Sequence, residues 1–332
     1  MARKLSIGVN WSGDFDMDGI VEQAKIADDS GVHALSIAEA WGPDALSLLA
    51  VVARETSNIQ LSTGIINIFS RSPGAMAQHF ATLDHISNGR MIIGVGASGP
   101  QVIEHFHGVK FRKPLTRMRE YVDIINMLMR AEPLNYDGDI FQLSRGFTMR
   151  FTPLRDHIPI HIASITPKSL QQTGTIADGW LPLHLPKEQW KSQIDAMTAN
   201  VEAAGRQRSD FVIHNPTGVR VTDDIEGARR QVVGTTAFYI ARMGDFYYQH
   251  FQRMGYADEA NAVRRGWEEG GAAGGAAAIP DDLALQLVTA GSIEQCIEGM
   301  EEAEAAGFDW HTVSVDERDP KKRAEIYRQL VG

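Results

Sequence analysis

Short apolar runs alternate along this chain with longer stretches in which apolar residues recur every three or four positions. Eight of the short runs read as strands, residues 5–10, 34–38, 59–69, 91–95, 158–165, 179–184, 211–221 and 309–315, and the Ile- and Leu-rich run that opens residues 59–69 as one buried on both faces of a parallel sheet. Helices lie between them. Residues 19–30 end at Gly31, and Gly42-Pro43-Asp44 starts the next helix. Ser72-Pro73 opens a third, with Ser as N-cap and Pro at the first helical position, and Asn88-Gly89 closes it. In residues 114–130, Leu115, Met118, Val122, Ile125 and Leu128 share one side. Thr166-Pro167 opens another helix, residues 190–204 end at Gly205, and residues 292–306 close at Gly307. Asp137-Gly138, between Tyr136 and Ile140-Phe141, is a hairpin signal.

No Pro/Ser linker or break in composition divides the chain. The alternation therefore predicts an α/β protein of one domain over residues 1–332, a closed (β/α)8 TIM-like barrel with every strand end on one rim. Residues 231–285, mostly helical, interrupt it between the seventh and eighth strands. Their EEGGAAGGAAAIP segment reads either as a flexible link or as a tight helix contact.

Charge and composition narrow the function classes. A formal net charge of −10 argues against a general nucleic-acid binder, which needs clustered Lys and Arg to neutralise phosphates. No apolar run approaches the length of a membrane span, and the MARKLSIGVN start lacks a signal-peptide core, so a cytoplasmic protein with no membrane partner is expected. The single cysteine, Cys296, excludes an internal disulfide framework and reads as a small buried hydrophobe.

The candidate chemistry collects just past the strands. Gly94, Gly96 and Gly99 in GVGASG match the dinucleotide fingerprint G-x-G-x-x-G, but Glu120, the acidic residue at the right spacing, lies in a helical period. Backbone passing close to a ligand, or a tight loop needing positive φ, are the competing readings. Glu39 follows directly on a strand; beside Trp41 it is a candidate for proton exchange with a bound ring, or else a cap on the helix that begins near Pro43, a duty for which Asp44 competes. Asn67 and Ser98 suit amide or phosphate contacts, or satisfy their own loops. Ser164 and Thr166 stand at a helix N-terminus that favours an anion, or form a plain N-cap. Gly64 inside a β-branched run marks a bulge or a close approach. His105 and His107 would not share a helix face and no H-E-x-x-H occurs, so no metal site is expected; G-x-x-x-x-G-K-[ST] and G-x-S-x-G are also absent.

Three long stretches, STGIINIFSRSPGAMAQHFATLDHISNGRMIIGVGASGP, VIEHFHGVKFRKPLTRMREYV and IPIHIASITPKSLQQTGTIADGWLP, carry R-x-P, L-x-x-x-S-x-G-R and A-D-G-W elements. With EAWGPDALSLLAVVARET and GSIEQCIEGMEEAEAAGFD they resemble the luciferase-like monooxygenase superfamily over nearly the whole chain, and within it the coenzyme F420-dependent oxidoreductases such as methylenetetrahydromethanopterin reductase. The resemblance implies a barrel with F420, or FMN in other branches, across its rim, and hydride transfer between the deazaflavin C5 and a small organic substrate. The FMN alternative is a two-component monooxygenase. By position it implies Glu39 near the reactive ring and a non-prolyl cis peptide at Gly64-Ile65. Asn67, Gly96, Ala97, Ser98 and Gly99 would contact ring and ribityl chain, and Ala163, Ser164, Ile165 and Thr166 the phosphate side. Trp11 and Trp41 would shape the substrate side. A homodimer is expected from the same likeness. Relatives have Asp-His where this chain has Glu39-Ala40, and Lys168, Arg220 and Arg242 are the cations available for an acidic tail.

Overall fold

The computed structural model describes residues 2–9 and 15–332. In chain order the elements are β1 (Lys4–Gly8), α1 (Met17–Asp29), β2 (Ala34–Ile37), α2 (Ala45–Glu55), β3 (Gln60–Thr63), β4 (Ile66–Asn67), α3 (Pro73–Ser87), β5 (Met91–Gly96), α4 (Pro114–Met129), β6 (Leu134–Asp137), β7 (Gln142–Phe147), β8 (Ile160–Ala163), α5 (Pro167–Ile176), β9 (Gly179–Leu181) and α6 (Trp190–Ala203). They continue with β10 (Val212–Ile213), β11 (Gly218–Val221), α7 (Ile225–Arg242), α8 (Asp245–Arg253), α9 (Ala257–Ala277), α10 (Asp281–Gln286), β12 (Val288–Gly291), α11 (Ile293–Ala306), β13 (Trp310–Val315) and α12 (Pro320–Val331).

Eleven strands form one parallel sheet in the order β10-β9-β8-β5-β3-β2-β1-β13-β11-β12, with β4 paired to β5. The sheet curls round as in a TIM-like barrel. Its β10 edge is drawn to β13: Asp309 N–H donates to the Ile213 carbonyl at 2.8 Å, and Asn215 N–H to the Trp310 carbonyl at 2.7 Å. Because every crossover returns to the same end, the strand C-termini share one rim. β5 lies between β3 and β8 in the interior of the sheet, so GVGASG does not sit at the switch point that a dinucleotide fold requires.

Two predicted strands are interrupted. The run over residues 59–69 splits into β3 and β4 at Gly64-Ile65, and the seventh extended stretch splits into β10 and β11. Helix begins at Ile225 rather than near residue 231, and β12 precedes the last barrel helices. β6 and β7 pair antiparallel as the Asp137-Gly138 signal predicts. Glu120, with no exposed surface, accepts the N–H groups of Asp139, Ile140 and Phe141 at 2.7–3.0 Å and so fixes that turn from α4. The Gly/Ala segment belongs to α9, which reverses at Gly271 (φ 62°). A Cβ on Gly266 would lie 2.4 Å from the Gly274 carbonyl oxygen, so of the two readings the tight helix contact is the one adopted.

The strand N-termini form the opposite mouth, an open hollow of about 400 Å³ lined by His33, Gln60, Ile92, His161, Asp178 and Trp310 among others. Arg90 lies beneath it, 7% exposed, and has no carboxylate partner among the described residues. Its guanidinium donates at 2.7–3.0 Å to the carbonyls of Ala53, Thr56, Ile59 and Ser87 and to the Thr56 hydroxyl. It therefore satisfies the free carbonyls at the end of α2 and the closing turn of α3. Arg90→Met leaves those acceptors without a donor and is expected to cost about 2–4 kcal/mol, read as a lowered urea midpoint with an unchanged far-ultraviolet spectrum.

His161, 3% exposed, meets His214 ring to ring, with 2.9 Å between Nδ1 and Nε2. Burial pushes His161 down from 6.5 to about 4, and burial with the charge of His161 pushes His214 well below its ordinary value. The folded pair thus resists protons that the unfolded chain takes up. Stability is complete above about pH 6.5 and falls as the pH drops toward 4. Urea midpoints measured between pH 7 and pH 4.5 are expected to decline, with a shallower decline in His161→Gln.

Candidate active site at the strand ends

The rim is organised around the break between β3 and β4. Gly64 N–H donates to the Ile37 carbonyl at 2.9 Å, and Glu39 N–H to the Ile65 carbonyl at 3.0 Å. The peptide bond between Gly64 and Ile65 is cis. The end of β2 and the break are thereby locked together, and Glu39 is turned toward the start of α2.

Its side chain, 8% exposed, is fully engaged. Oε1 accepts from Arg71 Nη1 at 2.6 Å, and Oε2 accepts from Arg71 Nη2 and from Ala45 N–H, each at 3.1 Å. Asp44 is the N-cap of α2, accepting the Ser47 N–H at 2.7 Å, and it also pairs with Arg71. The capping duty weighed between Glu39 and Asp44 is therefore shared, since both accept N–H groups at the N-terminus of α2. The Tyr121 hydroxyl on α4 donates to the Arg71 carbonyl at 3.2 Å and anchors the guanidinium-bearing loop. Burial opposes the charge on Arg71, but the bonds and charges of Glu39 and Asp44 outweigh it and hold the guanidinium above its ordinary pKa.

Asn67 is 1% exposed and serves its own loop: its Oδ1 accepts the N–H groups of Phe69 and Ser70 at 3.0 and 2.7 Å. Its amide nitrogen lies 3.2 Å from His107 Nε2. His107, set aside as a metal ligand, is thus brought into the Glu39 neighbourhood. Burial lowers its pKa, the Glu39 charge opposes that, and the Arg71 charge adds to it. Residues after Gly96 enter a short π-helical turn over Val102–Phe106.

The rim glycines make room for protein. A Cβ on Gly94 would lie 1.7 Å from the Thr63 carbonyl oxygen, and one on Gly96 would lie 2.9 Å from Ile65 Cδ1. Neither has positive φ; Ser98 takes that conformation instead, at 60°. Their missing side chains let β5 approach the break, and the main chain of Gly96 and Ala97 is left beside Ala163 on β8.

Beyond β8, Ser164 is held by two contacts: its hydroxyl accepts from Thr173 at 2.9 Å, and its carbonyl accepts the Trp180 indole N–H at 2.9 Å. Thr166 forms a capping box with Ser169 at the start of α5, the plain-cap reading. Arg253 on α8 reaches the Ile165 carbonyl at 3.1 Å and has no acidic partner among the described residues. Arg220, by contrast, is committed to Asp316 at 2.8 Å and to Gln231. Trp41 is 44% exposed, its ring edge-on to Phe238 at 6.3 Å. Trp11 lies outside the described residues. Sequence reading missed Arg71, His107 and Arg253 as site residues. The R-x-P element does contain Arg71, but nothing in it names Glu39 as the partner.

The family model for luciferase-like monooxygenases matches residues 6–310. The chain belongs to the luciferase-like monooxygenase family. This luciferase-like protein is 33% identical over 322 residues, 92% of each chain, to a Mycobacterium tuberculosis protein whose name places it provisionally among coenzyme F420-dependent oxidoreductases. It is 28% identical over 334 residues to the 5,10-methylenetetrahydromethanopterin reductase of Archaeoglobus fulgidus, covering 99% of this chain and 98% of that one. Among solved structures, the coenzyme F420-dependent tetrahydromethanopterin reductase of Methanopyrus kandleri shares the fold with a TM-score of 0.82 at 22% identity, over 100% of this chain and 99% of that one.

Arg71→Met in this luciferase-like chain leaves Glu39 buried with a single N–H donor. A loss of about 2–4 kcal/mol is expected in urea unfolding, whereas Arg71→Lys, which keeps the charge without the fork, is expected to lose less.

Proposed function

We propose that the protein is a coenzyme F420-dependent oxidoreductase built on an eight-stranded (β/α)8 barrel with a helical insertion before the last strand. In this reading hydride passes between the deazaflavin C5 and a small organic substrate. The observation that carries it is the division of the rim. Uncharged main chain at Gly64, Ile65, Gly96, Ala97 and Ala163 lies between a fixed carboxylate–guanidinium pair, Glu39–Arg71, and the N-terminus of α5 with the spare cation Arg253. That donor set fits a flat ring carrying a phosphate-bearing tail. Membership of the family and the names of its relatives support the same choice.

When bound, the deazaflavin supplies a carbon that gives or receives hydride. The chain's residues then have separable tasks. Glu39 faces the reactive ring, with Arg71 fixing its orientation and charge. His107, whose pKa burial lowers, lies beside Asn67 and is the imidazole able to take up or release the accompanying proton. Ser98 and Gly99 present hydroxyl and main chain to the ribityl side, and Ser164, Ile165, Thr166 and Arg253 to the phosphate. Trp11 and Trp41 border the substrate. The working assembly in this proposal is a homodimer.

Titrating the protein with F420 and with FMN while following fluorescence tests the reading. Saturable binding is expected for F420 and much weaker binding for FMN. Arg253→Met is expected to raise the dissociation constant for F420 about tenfold, the equivalent of one charge-assisted contact. Tight FMN with no F420 binding would replace the proposal with an FMN-dependent monooxygenase.

A further inference from the structure

Past the end of β9 the chain turns across the rim and carries His184 in a left-handed conformation, φ 52°. The residue is 6% exposed. Its Nδ1 lies 3.0 Å from the Thr236 hydroxyl on α7, while its Nε2 is buried with no hydrogen-bond partner. Two tyrosine rings flank it, Tyr239 of α7 at 4.7 Å and Tyr247 of α8 at 5.8 Å, and they lie 4.6 Å from each other. Neither tyrosine hydroxyl makes a hydrogen bond to the described residues. Phe238 meets Tyr239 at 5.9 Å and Trp41 at 6.3 Å, so the aromatic cluster runs on to the rim position after β2.

An orphaned buried polar atom such as His184 Nε2 costs about 1–3 kcal/mol, which makes an accident of packing a poor account. The cluster is also without countercharge. Burial, and after it the nearby His250, brings His184 down to about 3; burial raises Tyr239, and burial with Tyr239 raises Tyr247. Among the described residues no carboxylate or guanidinium bears on any of the three. An anionic group brought here would lose its hydration and gain no opposite charge.

We propose that His184 Nε2 and the hydroxyls of Tyr239 and Tyr247 recognise the hydroxyl or carbonyl oxygen of a neutral, largely apolar molecule whose hydrocarbon part lies against Phe238 and Trp41. Calling that molecule the substrate rests on the oxidoreductase reading; its recognition by the cluster does not. The Thr236 hydroxyl can donate to Nδ1 or accept from it, so Nε2 serves as donor or acceptor, and phenol hydroxyls do both. The same three groups therefore hold an alcohol or the corresponding carbonyl compound.

Cyclohexanol, cyclohexanone and cyclohexanecarboxylate serve as probes, titrated by ligand-observed NMR into the full chain with and without F420. The two neutral probes are expected to compete for one site and the carboxylate to bind about tenfold more weakly or not at all. His184→Phe is expected to weaken the neutral probes about tenfold with the melting temperature unchanged or raised, where a purely structural histidine would lower it. Tyr239→Phe, which removes one oxygen, gives the same direction should the histidine variant fail to fold. Carboxylate binding as tightly as the alcohol, neutral affinities unchanged in the variants, or no saturable neutral binding overturns the proposal. F420 failing to bind a protein that still binds cyclohexanol removes the oxidoreductase reading and leaves the binding proposal standing.

Discussion

Two main-chain hydrogen bonds govern the rim at the strand C-termini of this protein. Ile37 accepts from Gly64 and Ile65 accepts from Glu39, so the close of β2 and the gap between β3 and β4 are fastened to each other. β5 then comes close enough to reach the gap because it has no side chains at Gly94 and Gly96. Everything else on that side of the rim follows from this fastening. It sets where the Glu39 carboxylate points, which brings Arg71 across, which in turn needs the Tyr121 hydroxyl behind it. A carboxylate bonded on both oxygens is held in one orientation.

The opposite mouth follows a different logic. There Arg90 has only neutral acceptors, Asp84 is sunk against Arg155, and Asp28 takes the N–H groups of Ser57, Asn58 and Ile59 at 2.6–2.9 Å. These charges terminate helices and order the entries to strands. They make one end of the barrel a stability face, as position in such folds suggests, and leave the other end free for chemistry.

Much of the fold was legible because apolar periodicity and cap residues act locally. Ser72-Pro73, Thr166-Pro167 and Asn88-Gly89 mark their helix ends as read. The residues at Gly64 read as a bulge or close approach, and the cis bond to Ile65 was legible only through the family likeness, because the contacts that hold the break come from Ile37 and Glu39, more than twenty residues earlier. β12 was passed over, since a four-residue strand entered from a helix has almost no pattern of its own. The site was legible in its backbone and in Glu39, and much less so in the partners. Arg71 is 32 residues from Glu39, Arg253 is 88 from Ile165, and Thr236 is 52 from His184. Nothing in composition or spacing announces such pairings; only the curl of the sheet and the return of α7 and α8 over it create them.

The reversal inside α9 also bears on how the protein can be engineered. Its glycines resemble those of a tether, and a designer seeking a place to splice a tag, a sensor domain or a cut site would choose them first. With Gly266 and Gly274 pressed main chain to main chain, that stretch behaves as a clasp. Added length there would part the two halves of α9, which packs on the helices that carry Tyr239 and Tyr247, so splice points are better sought on surfaces remote from this clasp.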